Sequence, residues 1–536
     1  NLIEFAEGQE ELLVVEEKAA FLENQICALL INKARRPRVT GKQDEAGNFL
    51  LPSDVLIEPL DLAFVIAARL ESLGVADDAI RDAVARLRAR TERVVLNVPR
   101  HFVRAPFFCS GCPYNTALKL PEDSTAFAGM GCHAMAMFYS SSTTMTCMQM
   151  GGEGANWMGL APFTTAGHVF QNLGDGTYHH SGSLAIRASV AAGTNITYKI
   201  MVNGVIAMTG GQDIAGPLSV AAISNQIHHE GVRRIAVVSD QPANYTSSSG
   251  LAPGVEVYHR DEMDRVQREM REVPGTTAII YEQACATNKR RLRKRGRYAD
   301  PPKRMFINKE VCEGCGDCSD QSNCLSVHPL ETELGLKRRI DQSSCNKDYS
   351  CVKGFCPSFV TVLGGELTRK ASVEPGDEVF AALPTPRVAA LEQGFSAMIS
   401  GIGGEGVVTI GAVLAMAAHV EGKRASNFVM TGMAQKGGAV HSHLRIANDG
   451  SAVMAARIGN AEADLLLGCD LVASAALDSF RTVDPARTYV LGNSRIAPTA
   501  SFTKDPNASF DSSPLIDQIR ALVGEERCDF VDATHL

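Results

Sequence analysis

Apolar residues follow two rhythms along this chain. Short unbroken apolar runs, at 195–202, 234–239, 277–281 and 396–400, alternate with stretches in which apolar residues recur every three or four positions. The first pattern fits strands buried on both faces, the second amphipathic helices. Strands separated by helices predict an α/β chain built on doubly wound parallel sheets. The opening reads as a strand-helix unit: Glu11-Leu12-Leu13-Val14-Val15, then Phe21, Leu22, Ile26, Leu29 and Leu30 at helical spacing. Helices are expected over 60–74 and 77–90, the second charged on its outer face. The opening has no convincing first strand of its own, as expected of a chain that starts inside a longer polypeptide.

The most informative stretch is 173–212. Gly174-Asp175-Gly176-Thr177 precedes a predicted helix over 177–193, and the apolar run 195–202 ends on Asn203-Gly204-Val205, followed by Thr209-Gly210-Gly211-Gln212. Gly174 and Gly176 permit a tight turn and close approach to phosphate, and Asp175 offers a hard oxygen to a divalent cation. The helix start directs free N–H groups at an anion. Asn203, at the end of the next strand, can return its amide oxygen to the same ion. A glycine turn with one aspartate is common; the turn, helix, strand and asparagine in series are far more specific. Upstream, Cys109-Ser110-Gly111-Cys112-Pro113 has the form of a zinc or cluster half-site. Metal is not assigned there, because no second CxxC lies nearby and Cys132 and Cys147 sit in glycine-rich and threonine-rich text.

The 173–212 arrangement resembles the thiamine diphosphate signature, and the words GDGTYHHSGSLAIRASVAAGTNITYKI and MTGGQ are similar to the 2-oxoacid:ferredoxin oxidoreductase family, in particular its indolepyruvate type. The resemblance implies Mg2+ held by Asp175, Asn203 and the carbonyl of Val205. It also implies that Cys109, Gly111 and Cys112 line the thiamine pocket without binding iron. Gly131, Cys132 and His133 would form a second lining segment, with Cys112 and His133 facing thiazolium or substrate. Residues 151–154 and Trp157 would lie beside the site. The domain order it implies is a transketolase C-terminal-like domain at 1–91, a thiamine diphosphate-binding domain at 92–300, a ferredoxin-like iron-sulfur domain at 301–370 and a Rossmann-like gamma domain, incomplete, at 388–536.

Composition narrows this picture. At 536 residues, the chain is long enough for about three or four domains. Its net charge of −8 gives no general reason to expect nucleic acid. No apolar span reaches transmembrane length, so no membrane association and a cytoplasmic location are expected. Of 15 cysteines, seven lie between Cys312 and Cys356, which in a reducing compartment points to metal and not disulfides. Cys312-x2-Cys315-x2-Cys318 with the remote Cys356-Pro357 has the spacing of a 4Fe-4S ligand set. Cys324, Cys345 and Cys351 remain: they would hold a second cluster with a non-cysteine ligand, or Cys324 would replace Cys356 in the first. Cys27, Cys285, Cys469 and Cys528 read as isolated buried thiols.

The basic run 289–297 lacks interleaved aromatics and is expected to be a solvated linker, with docking of an acidic electron carrier as a further use. After a proline-containing linker around 373–387, Gly401-Ile402-Gly403-Gly404-Glu405-Gly406 has the GxGxxG form and leads into a helix at 407–418. Asn427 stands where a dinucleotide site would have an acid, so no NAD is assigned. The turn and the block 431–438 (TGMAQKGG) are similar to the family's gamma domain. By the resemblance, the chain decarboxylates an aryl 2-oxoacid oxidatively, with thiamine diphosphate, coenzyme A and ferredoxin as cofactor and partners, and forms a homodimer. Pyruvate or branched-chain 2-oxoacids are the alternative substrates; a non-oxidative thiamine-dependent decarboxylase and a non-catalytic electron-transfer subunit are the alternative classes. No stretch resembles the family's pyrimidine-binding domain, so no catalytic base is named.

Overall fold

The computed structural model describes residues 1–536 apart from 92–95, 100, 139–142, 217, 366–380, 382, 386–390, 393, 432–436, 450–454, 506 and 534–536. Most of the linker around 373–387 and positions 432–436 of the TGMAQKGG block therefore lie outside the described residues. The chain divides into two compact units, Asn1–Val95 and Leu96–Leu536.

In the first unit, β1 (Glu11–Leu13) pairs in parallel with β2 (Arg38–Thr40), and helices span Phe21–Leu30, Pro59–Ser72 and Asp78–Thr91. Its core is small: Ala6, Leu12 and Leu30 with Ile26 and Val39. Two strands cannot cover a whole helix face. Phe21, Leu22 and Leu29, expected on the buried stripe, are therefore exposed. Arg69 reaches across the unit to grip Glu11 through two hydrogen bonds of 2.8 and 2.7 Å, which holds the Glu11 carboxyl below its ordinary range.

The second unit is organised by two sheets. The first comprises β3 (Ala126–Ala128), β4 (Thr144–Cys147), β5 (Val169–Gly174) and β6 (Ile196–Val202). After a small hairpin of β7 (Val205–Ile206) and β8 (Gln212–Asp213), it continues with β9 (Ile235–Ser239), β10 (Glu256–His259) and β11 (Thr276–Glu282). Seven strands run in the order β10-β9-β11-β6-β5-β3-β4, all parallel. Every residue of β6 is buried, and its one charged member, Lys199, donates to the Ala117 carbonyl at 2.9 Å and to Gln267 Oε1 at 3.1 Å within otherwise largely apolar text. Separate cores pack on its two faces, one around Leu173, Ile200 and Ile280 and the other around Phe108, Met201 and Tyr281. This is the doubly wound sheet expected; β3, β4 and β10 are short or partly exposed strands that the apolar pattern did not announce.

β12 (Lys303–Ile307) pairs with β15 (Phe359–Leu363), and β13 (Val327–Thr332) with β14 (Gly335–Ile340), both antiparallel. These ribbons bracket the cysteine loops. The second sheet has β16 (Phe395–Ile402), β17 (Arg424–Met430), β18 (Ala439–Ala447), β19 (Leu465–Gly468), β20 (Tyr489–Asn493) and β21 (Cys528–Val531), in the order β17-β18-β16-β19-β20-β21. Five of its strands run in one direction and β18 alone runs antiparallel to both neighbours, so it is a mixed sheet. Among the described residues no helix is long and apolar enough to cross a membrane.

Candidate functional site

Parallel pairing of β5 with β6 sets Gly174 opposite Met201, so the Gly-Asp-Gly turn and the Asn-Gly-Val turn emerge side by side at the carboxyl edge of the sheet. Asp175 locks them together. Its Oδ2 accepts the N–H groups of Asn203 (2.9 Å) and Gly204 (2.8 Å), and its Oδ1 accepts that of Gly176 at 2.9 Å. The φ of +75° at Gly204 favours glycine there. Burial nevertheless raises the Asp175 carboxyl above its ordinary pKa, against those three amides. A carboxylate costly to charge in place is one that a bound cation would stabilise. Asn203 donates from Nδ2 to the Tyr114 hydroxyl at 2.6 Å, and its Oδ1 accepts the Val205 N–H at 3.0 Å. Thr177 is buried behind the turn.

The expected helix over 177–193 is interrupted. One turn at Asp175–Thr177 passes into a π-helical segment, Tyr178–Gly182, before α-helix resumes at Ser183–Ala191. Such widened turns concentrate at functional sites.

Near Gly174 lie buried polar atoms without hydrogen-bond partners among the described residues: both ring nitrogens of His133, both side-chain amide atoms of Asn172, and Oε1 of Glu153. His133 and Glu153 meet at Gly129, where a methyl group would come 3.0 Å from His133 Cε1, 3.1 Å from Glu153 Cγ and 2.4 Å from the main-chain carbonyl of Asn172. Burial, with Lys199 as the lesser cause, pushes His133 down to about 4, so its ring is neutral at pH 7. Unsatisfied buried polar groups are rare in folded proteins. Here they adjoin the cradle in which a polar ligand would be held. Sequence reading placed Glu153 and His133 only by resemblance and missed Asn172.

Asn203 is also a wall of a second feature. A narrow pocket is lined by Cys109, Cys112, Cys132 and Cys285 together with Tyr114, Met135 and Asn203. Metal is set aside at Cys109-x2-Cys112 in the sequence for want of a second CxxC nearby, yet Cys132, discounted for its glycine-rich context, and Cys285 line the same pocket in space. Cys285, read as an isolated thiol, arrives at the end of β11. Burial raises the Cys112 thiol, and the neighbouring Cys109, Cys132 and Cys285 raise it further. Of the other three cysteines read as buried, Cys528 is buried, Cys469 half-buried and Cys27 exposed.

In the cysteine-rich segment, Cys312 and Cys318 are buried, Cys356 half-buried and Cys315 exposed. Cys318 is pushed up to about 11 by burial, with Cys312 and Cys356 among its charged neighbours. Cys324, Cys345 and Cys351 line a different pocket. That pocket abuts the CxxC loop: the Gly111 N–H donates to Cys324 Sγ at 3.2 Å. Among the described residues, no three His, Cys, Asp or Glu side chains converge closely enough for a single metal ion. A cubane binds a thiolate at each of four corners, so its ligands stand farther apart than those of one ion.

The basic run is not a solvated linker. It forms a helix, Ala286–Lys294, that clamps its surroundings. Arg290 donates to the Ser343 and Ser344 carbonyls (2.6 and 3.0 Å), Arg293 to the Asn346 carbonyl (2.9 Å), and Arg291 to the Gly210 and Gly211 carbonyls (3.2 and 2.6 Å). Backbone carbonyls supply the partners of these half-buried guanidinium groups, and they are invisible in a charge count. The Gly210-Gly211 turn is closed further by Thr209, which donates to Gln212 Oε1 at 2.6 Å. Lys294, Arg295 and Arg297 remain exposed.

Residues 1–93 match the family model described as indolepyruvate oxidoreductase domain, and residues 396–524 match that of pyruvate ferredoxin/flavodoxin oxidoreductase. The chain is 24% identical over 387 residues to the indolepyruvate oxidoreductase subunit IorA of Pyrococcus horikoshii, covering 68% of this chain and 55% of that one. It is 23% identical to the subunit of the same name from Pyrococcus abyssi, with the same coverage. The chain spans about half the length of these curated relatives. Among solved structures, a 2-oxoglutarate:ferredoxin oxidoreductase from Magnetococcus marinus aligns with 18% identity and a TM-score of 0.27, covering 37% of this chain and 68% of its own. A putative thiamin diphosphate-dependent enzyme from Mycobacterium smegmatis aligns with 17% identity and a TM-score of 0.24, covering 35% and 34%.

Proposed function

Because the chain belongs to the 2-oxoacid:ferredoxin oxidoreductase family, we propose that it supplies the cofactor-binding and electron-collecting part of an enzyme that oxidatively decarboxylates aryl 2-oxoacids of the indolepyruvate type. Coenzyme A takes the acyl group and ferredoxin the electrons. The observation that carries the reading is the double duty of Asn203: one face closes the Asp175 clamp and the other lines the pocket of four thiols.

Asp175, Asn203 and the Val205 carbonyl would hold Mg2+ and with it the diphosphate of the cofactor. When bound, thiamine diphosphate would supply a nucleophilic carbon and a sink for the electron pair left by decarboxylation. The neutral His133 ring has a lone pair and one N–H with which to orient a polar group beside Gly174. Glu153, whose carboxyl is raised by burial, is the nearby group able to hold a proton. Cys109, Cys112, Cys132 and Cys285 would bind the cluster nearest the cradle. Cys312, Cys315, Cys318 and Cys356 would bind the outer one.

The test is anaerobic turnover with a viologen dye, coenzyme A and a panel of 2-oxoacids, with the chain assembled with whatever further segment or subunit completes it. Indolepyruvate and phenylpyruvate should reduce the dye at least about tenfold more efficiently than pyruvate, a gap of about 1.4 kcal/mol that aromatic burial readily supplies. Preference for pyruvate or branched-chain 2-oxoacids would replace the substrate assignment. Carbon dioxide release without dye reduction would overturn the oxidative reading.

A further inference from the structure

The two cysteine loops follow one backbone path. In Cys312-Glu313-Gly314-Cys315-Gly316-Asp317-Cys318, the residues flanking the middle cysteine have φ of +70° and +88°, and the helix Asp317–Ser322 follows. In Cys345-Asn346-Lys347-Asp348-Tyr349-Ser350-Cys351, the flanking residues Lys347 and Tyr349 have φ of +56° and +63°, and a helical turn, Ser350–Val352, follows. Left-handed backbone is ordinary for glycine and costly for lysine and tyrosine. The second loop keeps the path although its side chains oppose it. Asp348 thus occupies the position in its loop that Cys315 occupies in the first.

Asp348 also lines the same cavity as Cys324, Cys345 and Cys351. Its carboxylate is held in place. Arg260, itself buried at the end of β10, donates from Nη1 to Asp348 Oδ1 at 2.6 Å and from Nη2 to the Asp348 carbonyl at 2.9 Å, and Ser350 Oγ donates to Asp348 Oδ2. The opposite wall is Gly111, where an added methyl group would meet the Cβ atoms of Asn346 and Asp348, each at 3.1 Å.

We propose that this cavity is a three-thiolate cluster site, made by Cys324, Cys345 and Cys351, in which Asp348 stands at the fourth corner and the iron facing it is the one the cluster gives up. The proposal rests on the reading that the chain carries iron-sulfur clusters. A carboxylate is a harder donor than thiolate and suits cluster iron less well, and this one is already committed to Arg260 and Ser350. A dicationic four-iron cluster at this site releases Fe2+ to leave a neutral three-iron core. A one-electron oxidant such as ferricyanide then takes one electron from that core, giving ferrocyanide and a monocationic three-iron cluster. Ferrous iron with a reductant reverses both steps.

The experiment treats the full chain, with its clusters in place, with ferricyanide under anaerobic conditions and follows iron content and electron paramagnetic resonance. The wild-type chain should lose about one iron and gain the signal of an oxidised three-iron cluster at about one spin per chain, restored to silence by ferrous iron and dithionite. Asp348→Cys should lower that signal at least tenfold and retain the iron. Cys351→Ala should abolish it while the remaining clusters keep their reduced-state signals. Wild-type protein that keeps its iron and shows no three-iron signal overturns the proposal, as does an Asp348→Cys variant with an undiminished signal. A chain that binds no iron in any of its cysteine loops overturns the parent reading as well.

Discussion

Both large sheets of the second unit carry a glycine turn between a strand and a helix, and the two turns are held differently. At 174–176 the neighbouring strand β6 ends level with β5 and delivers Asn203 and two amides to the Asp175 carboxylate. At 401–406 Gly401 and Ile402 still belong to β16, and the Gly403 N–H is taken by the Gly438 carbonyl at 2.9 Å. The helix that follows, Val407–Val420, leaves Val408, Val413, Leu414, Met416 and Val420 exposed. The strand end beside this turn brings Asp470, whose carboxylate is already taken by Arg104 through bonds of 2.9 and 2.6 Å, whereas the Asp175 carboxylate gathers only backbone amides. The sharpest break in this comparison is Asp175→Ala. It should weaken Mg2+-dependent thiamine diphosphate binding at least about 100-fold, since it removes a charged ligand and frees the Asn203 turn. Glu405→Gln in the other turn should leave binding within about twofold, because no phosphate contact is expected there. Calorimetric titration of both variants measures the contrast, and equal losses would erase it.

The thiols offer the next test. Cys285→Ser should remove about four irons per chain, the whole complement of one cubane, if four side chains share one cluster beside Asn203. Cys469→Ser, a substitution at the end of β19 in the other sheet, should remove none. Iron analysis of chains purified anaerobically distinguishes the two. Exposed Cys27 should react with a maleimide in either background.

These contrasts also mark how far the sequence can be read. The cradle was legible because a strand buried on both faces is written mostly in apolar residues, as Ile196–Val202 is despite its buried Lys199, and because Asp175 and Asn203 fall at strand ends. The parallel sheet followed from the same signal. Cys285 was not legible: nothing local separates a thiol packed in a core from one facing three others, and only the register of β11 beside β6 brings it to the pocket. The arginine-rich helix was misread for a related reason. Its partners are carbonyl oxygens, which every residue has and no composition reveals. The apolar stripe of Phe21–Leu30 failed the other way, since periodicity predicts which face is apolar without saying whether a partner surface exists.

Arg291 tests that misreading. Its two bonds to the Gly210-Gly211 turn brace the cradle from outside, whereas in the other turn the Gly403 N–H is held by the Gly438 carbonyl. Arg291→Ala should destabilise the cofactor-free chain by about 2 kcal/mol through loss of charge-assisted hydrogen bonds. It should also weaken thiamine diphosphate binding severalfold. A lysine there keeps the charge but not the planar fork and should recover less than half of the loss. Urea unfolding of both variants reads this directly; a wild-type midpoint in Arg291→Ala would return the run to a solvated surface.

The smallest effect compares the sheets as proton acceptors. His168, just before β5, and His443, on β18, are each pushed down to about 4, chiefly by burial, with Arg271 and Arg457 next in order. Each already uses a ring nitrogen: His168 Nε2 lies 2.7 Å from Thr197 Oγ1, and His443 Nδ1 accepts the Ile458 N–H at 3.1 Å. The folded rings stay neutral while the unfolded chain takes up protons below its ordinary histidine pKa near 6.5. The stability each confers is therefore fully present above that value, falls as pH drops toward about 4, and levels off below it. Between pH 7 and 5 each histidine should cost about 1 to 2 kcal/mol. His168→Asn and His443→Asn should therefore each flatten the pH dependence of urea unfolding between pH 7 and 5 by a similar amount, and a variant that leaves the slope unchanged would mean that its ring takes up a proton in the folded sheet as readily as in the unfolded chain.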